Sequence, residues 1–185
     1  MIPWNECSGR AIPWHTTFLG RPMQHNYWLY FIIDDVIMHN QQIKAIIEIG
    51  TGYGAITIVL ALWALKMEIP IYSIDLNDTL NDGVLLHKLR VQYKKMDEFD
   101  SNTKEEIIKW ANVGPVYLYC DGANKAREFN TFVPLLTSGS VISVHDWGNE
   151  CTYPMIQETV NKYCSPYNES RWLEMNVQLA VFNRI

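Results

Sequence analysis

The sequence predicts an α/β fold, a doubly wound sheet of about seven strands that is mostly parallel and ends in an antiparallel C-terminal hairpin. Three observations predict it. From residue 43 onward, short β-branched runs alternate with helix-length amphipathic stretches. A glycine-rich turn, Gly50-Thr51-Gly52-Tyr53-Gly54, directly follows the first of those runs. Near the end, Arg171–Met175 and Val177–Asn183 lie too close together for a crossover helix, so they are expected to form an antiparallel pair at one sheet edge.

The first strand is expected over Ile43–Ile49, and the glycine turn leads into a helix from Ala55 to Met67. Pro70 opens a second strand, Ile71 to Ile74, which ends at Asp75. Leu89–Tyr93 reads as a third strand, followed by a helix whose start is marked by Asn102 and Glu105 at capping-box spacing. Gly114-Pro115 stops that helix. Val116–Cys120 then forms a fourth strand, Ala123–Leu136 a helix, Ser140–His145 a fifth strand, and the stretch after Thr152 a helix to Tyr163. Ahead of the sheet, Gln24–His39 reads as a helix with its apolar stripe at Trp28, Phe31, Ile32 and Val36.

With 185 residues, 48% of them hydrophobic and 19% charged, the chain can bury one substantial core. We therefore expect a single domain over 1–185, with a core at 43–185 and an N-terminal segment at 1–40. That segment carries Trp4, Trp14, His15 and Phe18 beside Pro3, Pro13 and Pro22; it either folds over the site as a lid or packs on the sheet. A net charge of −5 gives no basic field for a phosphate backbone, which argues against a nucleic-acid partner and for a small-molecule or saccharide substrate. Cys7, Cys120, Cys151 and Cys164 form no CxxC pair, so they read as free thiols in a reducing compartment. The N-terminus lacks the basic and apolar regions of a secretory signal, and the apolar run Ala55–Leu65 is too short to cross a bilayer. A cytoplasmic protein without membrane contact is expected. The short chain leaves little room for a substrate domain, so a homo-oligomer could complete the pocket.

Three features fall at successive strand ends, where open α/β sheets bind ligands. Glycines at 50, 52 and 54 let the backbone turn sharply and approach a ligand closely, although a tight strand-to-helix turn alone would also need them. Thr51 and Tyr53 lie within that loop, and Glu48 just ahead of it. Asp75, about 20 residues on, stands where a carboxylate grips a ribose diol. Asp97 supplies an acid after the third strand, read either as an adenine contact or as a solvated turn residue beside Glu98 and Asp100. The spacing GxGxG differs from the GxGxxG of dinucleotide enzymes.

The stretches Thr16-Thr17-Phe18-Leu19-Gly20-Arg21-Pro22-Met23-Gln24-His25-Asn26, Ile46-Ile47-Glu48-Ile49-Gly50-Thr51-Gly52, and Leu135-Leu136-Thr137-Ser138-Gly139-Ser140-Val141-Ile142-Ser143-Val144-His145-Asp146 carry a resemblance. In order and spacing they resemble the cephalosporin hydroxylase-like and rhamnosyl O-methyltransferase group of class I S-adenosylmethionine (SAM) dependent enzymes. The resemblance implies a Rossmann-like methyltransferase fold, SAM as cofactor and often a divalent metal beside the methyl group. Glu48, Gly50, Thr51, Gly52, Tyr53, Gly54, Asp75, Asp97 and Asp121 are the expected cofactor residues.

Asp121 ends the fourth strand and Asp146 the fifth, and neighbouring strands lie ~4.8 Å apart, so both carboxylates can meet one hard cation such as Mg²⁺. In the resembling group acids at these ends hold the metal, and a further acid commonly precedes the last one; here that residue is His145. His145 beside Asp146 suits a softer metal, or a general base poised near neutrality, or a hydrogen-bonded strand end. A second departure is Asp121-Gly122-Ala123-Asn124, where the group often has Asp-x-Asp-His. Asp121 could equally cap a helix or touch the cofactor. His145, Asp146 and Asp121 are therefore the catalytic candidates, for O-methylation of a hydroxyl on a small molecule or saccharide. An NAD(P)-dependent oxidoreductase would share the loop and Asp75, but would not predict the terminal hairpin or the acids of the fourth and fifth strands. A non-catalytic SAM-binding module would suit Ala123 and Asn124.

Overall fold

In the computed structural model, which describes residues 17–19, 21–22, 28–77, 84–167 and 177–185, nine strands and six α-helices are seen. Thr17–Phe18 (β1) and Arg21–Pro22 (β2) pair as a small antiparallel ribbon. The other strands are Ala45–Ile49 (β3), Ile71–Asp75 (β4), Val91–Lys95 (β5), Val116–Cys120 (β6), Val141–His145 (β7), Cys164–Pro166 (β8) and Leu179–Arg184 (β9). They form one sheet in the order β5-β4-β3-β6-β7-β9-β8. The five strands from β5 to β7 run parallel, and β9 is antiparallel to both β7 and β8.

The helices are Trp28–Met38 (α1), Ala55–Met67 (α2), Val84–Lys88 (α3), Ser101–Ala111 (α4), Lys125–Phe132 (α5) and Tyr153–Tyr163 (α6). Every residue of β3, β6 and β7 is buried, because helices cover both faces of the sheet. Alternate residues feed two cores. Ile46, Tyr117 and Tyr119 point to the side of α1 and α2, where Leu29, Ile33 and Leu60 pack. Ala45, Ile47 and Leu118 point to the side of α4, α5 and α6, with Trp110, Phe129 and Ile156. Chain order reverses between β3 and β6, so the crevice for a ligand opens at their carboxyl ends, beside Gly50 and Asp121.

Several expectations shift. The third strand starts two residues later than its β-branched pattern suggests: Leu89 and Arg90 close α3 through bonds to the carbonyls of Leu85 and His87, and Arg90 takes a left-handed φ of 59°. The cap of α4 is Asp100, whose Oδ1 accepts from the Asn102 N–H at 2.9 Å, instead of the Asn102–Glu105 pair. The helix expected over Ala123–Leu136 is α5 plus a 3₁₀ turn at Val133–Leu135, because Pro134 lacks the N–H needed to continue an α-helix. In α1, Leu29, Ile32, Ile33, Val36 and Ile37 are buried, whereas Phe31 is half exposed, so the apolar stripe lies one position away from Trp28 and Phe31. Gln24–Tyr27 of that expected helix lies outside the described residues.

The antiparallel edge exists with a different partner. β9 inserts between β7 and β8, and β8 follows directly on α6. The run Arg171–Met175 lies outside the described residues, as do Trp4, Trp14 and His15 of the aromatic N-terminal segment. Phe18 from that segment stacks on Tyr30 of α1 with centroids 5.2 Å apart, and Pro22 reaches the crevice described next. Among the described residues no helix is long and apolar enough to cross a membrane.

Candidate active site

A cavity of about 460 Å³ opens over the carboxyl ends of β3, β4, β6 and β7. The glycine loop and Asp75 form one part of its wall, and Asp121, Lys125, His145 and Asp146 another. A volume of that order suits a nucleoside-sized ligand with room for a neighbour.

The loop is built on left-handed glycines. Gly50, Gly52 and Gly54 have φ of 91°, 50° and 82°. At Gly50 a Cβ would also lie 2.2 Å from the Asp121 carbonyl oxygen, so only glycine lets β3 turn away against the end of β6. Gly54 starts α2 in this conformation. Asp75 anchors the loop from β4: its Oδ2 accepts from the Gly52 N–H at 2.8 Å, and its Oδ1 from the Asn77 N–H at 2.7 Å. A carboxylate has about four lone-pair sites, so two remain to accept from a ligand's hydroxyls. Thr51 is buried with its side chain on Ser73, while Tyr53 is exposed at the cavity rim.

Two of the expected cofactor residues do not line the cavity. Glu48 does not reach the cavity: it is fully buried beneath the loop, where its Oε2 accepts from Ser73 Oγ at 2.5 Å, and that hydroxyl is 2.6 Å from Thr51 Oγ1. Burial pushes the Glu48 carboxyl up to about 8, against the hydrogen bond from Ser73 that favours the charged form. At neutral pH it therefore keeps its proton and braces the loop. Asp97 is exposed and folds back to accept from the Phe99 N–H at 2.8 Å, a turn role that takes it away from the cavity wall. Its neighbour Glu98 is buried and lines the cavity instead.

At the other wall, β6 and β7 bring the catalytic candidates together. His145 Nδ1 lies 3.0 Å from Asp121 Oδ1 and 3.3 Å from Asp146 Oδ2. One ligand atom from each of Asp121, His145 and Asp146 falls within 4.8 Å of the others. Asp146 adopts a left-handed φ of 52°, which turns its carboxylate back toward the cluster while its carbonyl accepts from the Asn149 and Glu150 N–H groups. Burial alone would lower the His145 pKa, but the charge and hydrogen bond of Asp121, with help from Asp146, raise it to about 9. His145 is thus a charged donor at neutral pH, not a base poised there. The same contact, with Lys125, holds the Asp146 carboxyl well below the usual carboxylate range.

Lys125 was invisible as a site residue in the sequence, although its place four residues after Asp121 was the available signal. Its side chain is only 5% exposed. Its Nζ stands 2.7 Å from Glu150 Oε2, 3.1 Å from Asp146 Oδ2 and 3.5 Å from Asp121 Oδ1, and donates to the Gly122 carbonyl at 3.1 Å. Asn124, one of the departures from the resembling group, is the helix cap: its side chain accepts from the Arg127 N–H at 3.0 Å. Glu128, also unforeseen, returns from α5 to accept from the Asn124 and Gly122 N–H groups, which fixes the turn after Asp121. Asp121 and Asp146 do converge, as a shared cation would require, but the position between them holds an ammonium. A dication ~2.0–2.6 Å from the same oxygens would compete with that ammonium for them, although Asp121, His145 and Asp146 each place one ligand atom where an ion could be held.

No protein-family model matches the chain, and no curated protein matches its sequence. Solved structures do match in fold. The Mg-SAM form of CmcI aligns with a TM-score of 0.70 at 17% identity, over 92% of this chain and 76% of that one. A putative rRNA methylase from Clostridium thermocellum aligns at 0.55 and 15% identity, over 84% of this chain and 94% of that one. The [4+2]-cyclase SpnF aligns at 0.52 and 12% identity, over 84% and 64%. At these identities the likeness is one of architecture alone, an α/β fold shared with the SAM-bound CmcI, the putative rRNA methylase and the cyclase.

Proposed function

We propose that the protein is a SAM-dependent methyltransferase that methylates a hydroxyl of a small molecule or saccharide. Because a cyclase shares the architecture, fold alone does not carry this reading; the site must. The observation that carries it is one cavity with two chemically distinct walls. The first wall, with its open glycine backbone and the Asp75 carboxylate, suits the ribose and amino-acid parts of SAM. The second wall is a charged constellation of Asp121, Lys125, His145 and Asp146, suited to fixing a polar acceptor.

When bound, SAM supplies an electrophilic methyl on a sulfonium with a good leaving group, so the protein's task is chiefly alignment. Asp121 and Asp146 supply acceptor oxygens for the substrate's hydroxyls and take up the proton released as the O–CH3 bond forms and the C–S bond breaks, and protonated His145 holds both carboxylates in register. The arrangement favours a polyhydroxylated acceptor over an apolar one, because carboxylates in a partly closed cleft reward hydroxyl donors and leave an apolar group with desolvated charge beside it.

The test is transfer of a labelled methyl from SAM to panels of sugars, phenols and amines. The expected result is S-adenosylhomocysteine formed in step with an alkali-stable O-methyl product. Label found only on amine acceptors would overturn O-methylation. In the same assay Asp146→Asn is expected to lower turnover by roughly 100-fold while SAM affinity changes little, since its carboxylate lies on the acceptor wall.

A further inference from the structure

We propose that Lys125 is the resident cation of the acceptor wall, so that the site works without a divalent metal. The inference rests on the methyltransferase reading and concerns how its acceptor wall is balanced. Three carboxylates, from Asp121, Asp146 and Glu150, surround one ammonium. Lys–NH₃⁺ has three donors, and the geometry gives them three oxygens: Glu150 Oε2, Asp146 Oδ2 and the Gly122 carbonyl. Asp121 is the fourth oxygen, close enough for attraction.

The position of this ammonium is fixed by the fold. Lys125 is the first residue of α5, one turn beyond Asp121, and Asn124 and Glu128 pin that turn from both sides. The side chain therefore has no need to search for the cluster; the helix start delivers it there. With the His145 ring bridging Asp121 and Asp146 on another side, the carboxylates are oriented and most of their charge is offset by side chains alone. Lys125 acts through those carboxylates as a positioning residue. Removing its charge would leave three acids facing one another across a few ångströms, which is the electrostatic condition under which a hard divalent cation is recruited.

That reversal is the test. The wild-type protein, titrated with Mn²⁺ and followed by the loss of free Mn²⁺ signal in electron paramagnetic resonance, is expected to show no saturable site below millimolar metal. Its turnover should survive chelation unchanged. Lys125→Ala and the better-packing Lys125→Met are expected to bind one Mn²⁺ at least ~10-fold more tightly than wild type. Their turnover, reduced without metal, should recover on adding Mn²⁺, which loss of a merely structural lysine would not produce. A tight Mn²⁺ site in the wild type that Asp146→Asn abolishes would overturn the proposal. So would folded Lys125 variants that gain no Mn²⁺. Because the Mn²⁺ titration needs neither SAM nor acceptor, its outcome is distinguishable from a failure of the methyltransferase reading, which would appear as absent methyl transfer with the metal result intact.

Discussion

Replacing Glu48 with Gln is expected to flatten the pH dependence of stability, removing a loss of about 3 kcal/mol between pH 5 and pH 8. Burial holds the folded-state carboxyl at about 8, above its ordinary value of 4.5. Below pH 4.5 both the folded and unfolded chains carry the proton, and the stabilisation from keeping it is fully present. As the pH rises toward 8 the unfolded chain releases the proton while the folded chain retains it, so stability falls; above 8 both are ionised and the loss levels off. Glu128, also raised to about 8 by burial, and His145, raised to about 9, add slopes of the same sign. The Glu48 share is therefore read as the difference between wild type and variant. Gln preserves the acceptor for Ser73 Oγ, so the fold should persist. Denaturant unfolding at the two pH values checks this, and parallel curves for the two proteins would mean that Glu48 is ionised in the folded state.

The second large effect is expected at Asp75. Changing it to Ala should weaken SAM binding by roughly 10- to 100-fold, the equivalent of ~1.5–3 kcal/mol for lost charge-assisted hydrogen bonds. Two mechanisms act together. The ribose hydroxyls lose their acceptor, and the Gly52 and Asn77 N–H groups lose the oxygens that hold the loop in its binding shape. Asp75→Asn keeps one acceptor oxygen and should fall between the two. Calorimetric titration of the three proteins measures this, and equal affinities would separate Asp75 from the ligand.

Much of this architecture was legible because burial on both faces leaves an unmistakable pattern. β3, β4, β6 and β7 are short apolar runs between helices, and α2 begins and ends where the sequence places it. The convergence of Asp121 with Asp146 was legible too, since adjacent parallel strands align their ends. What was hidden depended on local side-chain choices. Asp97 and Glu98 are neighbours, and only the turn bond to Phe99 decides which carboxylate faces outward. The partner of β9 could not be read because β8 is three residues long and follows α6 without a break. Lys125 carried no signal of its own in the sequence, because two of the acids that draw it inward, Asp146 and Glu150, lie more than 20 residues away.

The most direct test of the central claim is calorimetric titration of the purified protein with S-adenosylhomocysteine, SAM and NAD(H). The account predicts saturable one-to-one binding of the first two and, at a hundred times Kd, a stabilisation of ~2.7 kcal/mol against unfolding. Binding of NAD(H) with no binding of SAM or S-adenosylhomocysteine would contradict it.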